Sequence, residues 1–272
     1  MKNISFGQYY PADSLIHRLD ARAKVILALL YIVCSFLCKN IISFAALALS
    51  AILLILLSNI PLKSVIRAIR PILFVMLFTV ILNVFWTKGE TPLFSWWILS
   101  VYEEGVYNAL FMLVRIVSLI IGTSIFMTYT TTPIELADAI EQLLAPLKKI
   151  KLPVHEFSMM MTVALRFIPT LIEETEKITA AQKARGADFS SGGLVKRAKA
   201  LIPILIPLVI SAFRRADELA TAMECRCYRG GDGRTKLHVL HYDAKDFLMM
   251  VIVVLFGAVL VGLNMLAIGY TM

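Results

Sequence analysis

Hydrophobic residues run in long blocks through the first half of the chain, give way to a mixed stretch with helical periodicity, and return as one block at the end. Five apolar stretches, at roughly 23–38, 41–57, 71–87, 106–128 and 247–269, come close to the ~20 residues that a helix needs to cross a bilayer. They predict five spanning helices, the first three short enough to tilt little or to thin the bilayer around them. The first follows a polar stretch, FGQYYPADSLIHRLDARAK, and has no small-residue cleavage site. It runs through Lys39 and Asn40 directly into the second, so the two read as a retained hairpin and not a leader.

Between 129 and 243 the pattern changes. Thr132 is an N-cap candidate and Pro133 suits the first helical position, with Glu135 and Asp138 where the helix dipole favours acids. A short helix is predicted there, closed by a basic turn between Pro146 and Pro153. From Val154 a long helix is predicted, apolar as far as Ile172 and polar from there to Gly186, a C-terminal stop. Phe189 to Gly193 reads as a loop. A second long helix runs from Leu194 to Tyr228, with an apolar middle, LIPILIPLVI, too short to span a bilayer. Pro203 and Pro207 each remove a backbone donor there, and a kink or break is expected. The fold class is therefore an all-α integral membrane protein, with about five transmembrane helices and a module of one short and two long helices. Its regions are 1–128 with four spans, 129–243 with the module, and 244–272 with the last span.

Composition agrees: 59% hydrophobic residues and a mean hydropathy of +0.78 exceed what a soluble chain of 272 residues carries. With the N-terminus inside, Lys39 and Lys88 are the only cations of the 27 that face outward, and Arg115 lies within a span. The positive-inside bias thus predicts a cytoplasmic N-terminus and an external C-terminus. The same bias, with anionic lipid headgroups, explains most of the net charge of +8. The basic residues are interleaved with acids, so no nucleic-acid partner is implied. Cys34 and Cys38 sit a turn apart in an apolar span, and Cys225 and Cys227 fall on the reducing side, so no disulfide framework is expected.

The most distinctive residues are two arginines at the far ends of the long helices. Arg185 stands between Ala184 and Gly186, and Arg226 between Cys225 and Cys227. An arginine at a helix C-terminus complements the exposed carbonyls, and that is one reading. The other is docking: with only small neighbours, the guanidinium is the one bulky group at the tip, free to enter a groove and grip a carboxylate with both arms. A faint repeat links the arms, since Pro169, Ile172, Glu176 and Arg185 are echoed by Pro207, Ile210, Asp217 and Arg226.

Other chemistry is poorly represented. His155-Glu156 resembles half of a zinc-protease motif, but position 159 is methionine where the second histidine belongs. Cys225-x-Cys227 has neither zinc-site spacing nor companion ligands. The glycines of YRGGDGR lack the lysine and hydroxyl of a phosphate loop, so the chain is not expected to hydrolyse ATP by itself. Neither a metal nor a cofactor is expected. Arg115 is an oddity, because an arginine inside a span costs roughly 2.5–3.5 kcal/mol on insertion scales; backbone carbonyls, a partner subunit and a lipid phosphate are all open as its partner. Met159, Met160 and Met161 read either as an adaptable binding surface or as ordinary interface residues.

The stretch YYPADSLIHRLDARAK, through Tyr10, Pro11, Asp13, Ser14, His17, Leu19, Asp20, Arg22 and Lys24, resembles the opening of the transmembrane T component of energy-coupling-factor transporters, a branch of the ATP-binding-cassette importers. The likeness extends over essentially the whole chain, and the arginine tips match that family's paired Ala-Arg-Gly motifs, intact at Arg185 and altered to Cys-Arg-Cys at Arg226. The resemblance implies a non-catalytic scaffold in a bacterial plasma membrane. Its cytoplasmic coupling helices would insert Ala184, Arg185, Gly186 and Cys225, Arg226, Cys227 into two ABC ATPase subunits, a heterodimer if the differing tips are a guide. Their apolar faces, at Phe157, Met160, Met161, Leu165, Ile168, Leu205 and Leu208, would hold a small membrane-embedded substrate-binding S component that takes up vitamins or other micronutrients. Two alternatives fare worse. A self-contained transporter or channel would line several spans with polar residues, whereas Arg115, Asn83, Asn108 and scattered hydroxyls are all that appear. A membrane enzyme would need an acid and histidine cluster, and the nearest, His17, Asp20 and Arg22, reads as a capped helix start.

Overall fold

A computed structural model describes residues 9–87, 92–96, 99–146, 153–187, 189, 193–230 and 240–265. In chain order the helices are α1 (Ala21–Leu37), α2 (Ile41–Ser58), α3 (Leu62–Ile69), α4 (Leu73–Trp86), α5 (Glu103–Thr123), α6 (Pro133–Leu144), α7 (Val154–Ala184), α8 (Leu194–Cys225) and α9 (Ala244–Met265). The chain forms two compact units, Met1–Ala139 with Val239–Met272, and Ile140–His238. Four helical runs in the first unit are long and apolar enough to cross a membrane: Ile41–Ser58, Leu62–Trp86, Glu103–Tyr129 and Ala244–Met265. The fifth apolar helix, α1, has 17 residues and an estimated length of ~26 Å.

Helix α1 is the best-covered of these. Ala21, Ala23, Lys24, Leu27, Ala28, Tyr31, Cys34 and Ser35 are all buried, because α5 and α9 pack against it. Glycines make that approach possible. A Cβ at Gly122 of α5 would lie 2.2 Å from the Tyr31 ring, and one at Gly257 of α9 would lie 3.0 Å from Cys34 Sγ. Between α2 and α5 the rings of Phe44 and Phe111 stack at 4.6 Å.

Three features depart from the sequence reading. The third span begins earlier than position 71, because a 3-10 turn at Arg70–Ile72 accommodates Pro71 and joins α3 to α4 as one helical run. A small antiparallel hairpin, β1 (Pro92–Trp96) with β2 (Leu99–Tyr102), precedes α5. The helical continuation of α5 ends in a π-helical turn, Ser124–Tyr129. The expected basic turn lies mostly outside the described residues, as does most of the loop after Gly186.

The short helix α6 opens as expected. Thr132 Oγ1 accepts from Glu135 N at 3.3 Å, and Thr132 N donates back to Glu135 Oε2 at 3.1 Å, a capping box. In the second unit α7 and α8 pack antiparallel: Tyr228 donates to Met159 Sδ at 3.0 Å, Arg215 pairs with Glu174 at 2.7 Å, and Gln182 reaches the Pro203 carbonyl. Phe167 and Leu171 of α7 and Ala212 and Ala216 of α8 line one apolar cavity along this pair. The expected break at Pro203 and Pro207 does not occur, because α8 is helical throughout. Pro207 has no N–H to give the Pro203 carbonyl, and Gln182 Nε2 supplies one from α7 at 3.4 Å.

Candidate functional site

Both long helices end in the same way. After α7, Gly186 N donates to Lys183 O at 2.9 Å and Ala187 N to Gln182 O at 3.0 Å. After α8, Cys227 N donates to Glu224 O at 2.9 Å and Tyr228 N to Met223 O at 3.0 Å. Each is a Schellman motif, in which the residue after the arginine turns left-handed and returns the chain to the last carbonyls. Gly186 has φ +87° and Cys227 has φ +57°. One small neighbour of each arginine therefore has a backbone reason to be there. The other, Ala184 or Cys225, is exposed and without such a constraint.

The two guanidiniums are exposed, and among the described residues neither has an ion-pair or hydrogen-bond partner. Because α8 runs back along α7, with Tyr228 beside Met159 and Pro203 beside Gln182, the tips lie at opposite ends of the pair. The helical rise places them on the order of 35–40 Å apart. The pairing is held by Tyr228 with Met159, Gln182 with the Pro203 carbonyl, and Arg215 with Glu174. The Glu174 carboxyl is held below its ordinary value of 4.5 by a hydrogen bond from Ser211 and by Arg215.

The seven apolar candidates do not form one patch. Phe157, Met160 and Met161 are exposed near the start of α7, beside the Arg226 end. Leu205 is exposed and Leu208 half-buried in the apolar part of α8, which pairs with the Arg185 end of α7. Leu165 and Ile168 are half-buried between them. Ile202, Ile206, Val209 and Ile210, within the apolar stretch 201–210 of α8, are exposed as well, and Phe213, just beyond that stretch, is 69% exposed. Their three- and four-residue spacing is the signal that finds them.

A family model described as CbiQ, cobalt transport protein, matches residues 12–238. The chain belongs to that family. Relatives named energy-coupling factor transporter transmembrane protein EcfT include that of Ruminiclostridium cellulolyticum, 52% identical over 256 residues, 94% of this chain and 95% of the relative. That of Clostridium kluyveri is 52% identical over 249 residues, covering 91% and 92%, and that of Bacillus subtilis 45% over 260, covering 96% and 98%. This is the transmembrane T component of an energy-coupling-factor transporter, and a bacterial membrane protein.

In this family member the opening stretch is a structural clasp. Asp20 caps α1, accepting from Arg22 N at 2.8 Å and pairing with the Arg22 guanidinium at 2.9 Å. That guanidinium lies 4.0 Å from the centre of the Tyr242 ring. Asp246, 1% exposed, accepts from Asp20 N at 2.9 Å and Asp243 N at 2.8 Å, binding the start of α1 to the start of α9. Lys24 donates to Thr130 O at 2.7 Å and His17 O at 3.0 Å, and His17 bonds Ser14 and the Tyr10 carbonyl. Tyr10 N in turn donates to Tyr129 O at 3.0 Å. Arg115 is also accounted for. Its Nη2 donates to the Cys38 carbonyl at 3.0 Å, beyond the end of α1, and the Phe44 ring centre lies 5.1 Å away. A cation there satisfies a carbonyl the helix leaves open and complements its dipole.

Proposed function

We propose that the chain is the coupling scaffold of an ATP-driven micronutrient importer. Arg185 and Arg226, exposed and without partners among the described residues at opposite ends of one rigid helix pair, are the observation that supports this reading most strongly. Each tip docks into one of two cytoplasmic ABC ATPase subunits, its guanidinium meeting a carboxylate in a groove. The left-handed residue behind each arginine narrows the tip and turns the chain away from that groove. Residues 1–128 and 244–272 form the membrane region, with the N-terminus cytoplasmic, and 129–243 form the coupling module.

A small membrane-embedded S component, which captures the vitamin or other micronutrient, rests on the exposed apolar residues of α7 and α8. The two ATPases hydrolyse ATP, and this subunit contributes no catalytic group. When their spacing changes, a helix pair held at both ends moves as a unit and carries the displacement to the S component. The unlike tips, glycine behind one arginine and cysteine behind the other, favour two different ATPases.

Affinity purification of the tagged chain from its native membrane in mild detergent, followed by mass spectrometry, tests this assembly. Recovery of one or two nucleotide-binding subunits with a small hydrophobic protein is expected. Recovery of the chain alone, even with those subunits coexpressed, would overturn it.

A further inference from the structure

Helix α3 has a face that the coupling role does not use. Lys63, Arg67 and Arg70 recur at four- and three-residue intervals and so share one face of the helical run, and all three are exposed. Among the described residues none of them has a carboxylate partner. The sequence offers none nearby either, since no acid occurs between Asp20 and Glu90. Next to this cationic ladder, Leu62, Ile66 and Leu73 form an apolar stripe that is 64%, 64% and 56% exposed. The opposite side is held by the protein: Val65 is 5% exposed, and Tyr129, at the end of the π-helical turn, donates to Ser64 O at 2.8 Å.

Length decides where this face lies. The run Leu62–Trp86 has 25 residues, an estimated ~37 Å at the helical rise, against a hydrocarbon core of about 30 Å. The nine residues 62–70 that carry the three cations make up ~13 Å of the run, and this is the end placed in the headgroup region. The uncharged stretch from Pro71 to Trp86 remains for the core. An apolar stripe at acyl depth flanked by cations at phosphate depth is the arrangement of an interfacial helix.

We propose that Lys63, Arg67 and Arg70 form a docking site for the headgroup phosphates of anionic phospholipids, anchoring α3 against the exit of α5. The proposal does not depend on the arginine tips. Three cations on an exposed helix face select by charge: each contributes on the order of fivefold, screened beyond ~8 Å at physiological salt.

The test uses the full chain in nanodiscs of phosphatidylcholine with graded phosphatidylglycerol, extracted into mild detergent, with the retained lipid quantified. Wild type should retain phosphatidylglycerol at least tenfold above its share of the bilayer, and K63Q/R67Q/R70Q should fall to within twofold of that share. Each single substitution should lower the enrichment two- to fivefold, which keeps the test decisive if the triple variant does not fold. The charge-preserving K63R/R67K/R70K should retain it, and K177Q/K183Q on α7 should leave it unchanged. Undiminished enrichment in the glutamine variants, or an equal loss in K177Q/K183Q, would overturn the proposal.

Discussion

Cys227 holds a φ of +57°, a backbone conformation that costs a residue with a Cβ roughly 1–2 kcal/mol. Glycine would remove that cost but add about 0.4–1 kcal/mol of unfolded-chain entropy. The strain term is larger, so Cys227→Gly should stabilise the end of α8 by about 0.5–1 kcal/mol, read as slower hydrogen exchange at the amides of residues 227 and 228. Gly186→Ala should do the reverse at the end of α7, although nothing lies within 4 Å of its Cβ position, because the obstacle is the dihedral. Gly186 was legible as a helix stop because glycine advertises this conformation. Cys227 was not, since an equivalent turn made by cysteine leaves no compositional trace. Arg115 stood out as costly, but its partner, the Cys38 carbonyl, is a backbone group just beyond the end of α1 and carries no sequence signal.

At the scale of elements, the clasp between α1 and α9 rests on one buried carboxylate. Asp246→Ala would strand the amides of Asp20 and Asp243, each costing about 1–3 kcal/mol when unsatisfied. Thermal unfolding in detergent should show a loss of about 2–4 kcal/mol, with Asp246→Asn between the variant and wild type. The contact between α7 and α8 has a pH dependence of known sign. Glu174 titrates below its ordinary 4.5, so its contribution is complete above that value and is lost as pH falls through the lowered one. Unfolding of wild type relative to Glu174→Gln should converge only in acid and stay constant around neutrality. The apolar blocks and the two long helices were legible from hydrophobic runs and periodicity. Helix α3 and the hairpin before α5 were not, because eight residues of helix and four or five of strand are too short for a periodic signal. The intact α8 was misread because the donor that replaces Pro207's missing N–H comes from Gln182, 25 positions earlier in sequence.

At the scale of the whole molecule, a bundle of apolar helices is joined to a module that presents two exposed arginines on one antiparallel pair. Their equivalence was partly legible, in the echo of proline, isoleucine, acid and arginine along the two arms. Their placement at opposite ends followed only from the pairing of Met159 with Tyr228 and of Gln182 with Pro203. The most direct test is to quantify nucleotide-binding subunits recovered with tagged wild type, Arg185→Glu, Arg226→Glu and the double variant, all checked for membrane insertion. Reversing a charge that meets a buried carboxylate costs about 2–5 kcal/mol or more. Each single variant should therefore lose at least tenfold in recovery, and the double variant should recover none while remaining in the membrane. Full recovery with the double variant would contradict the docking role of both tips.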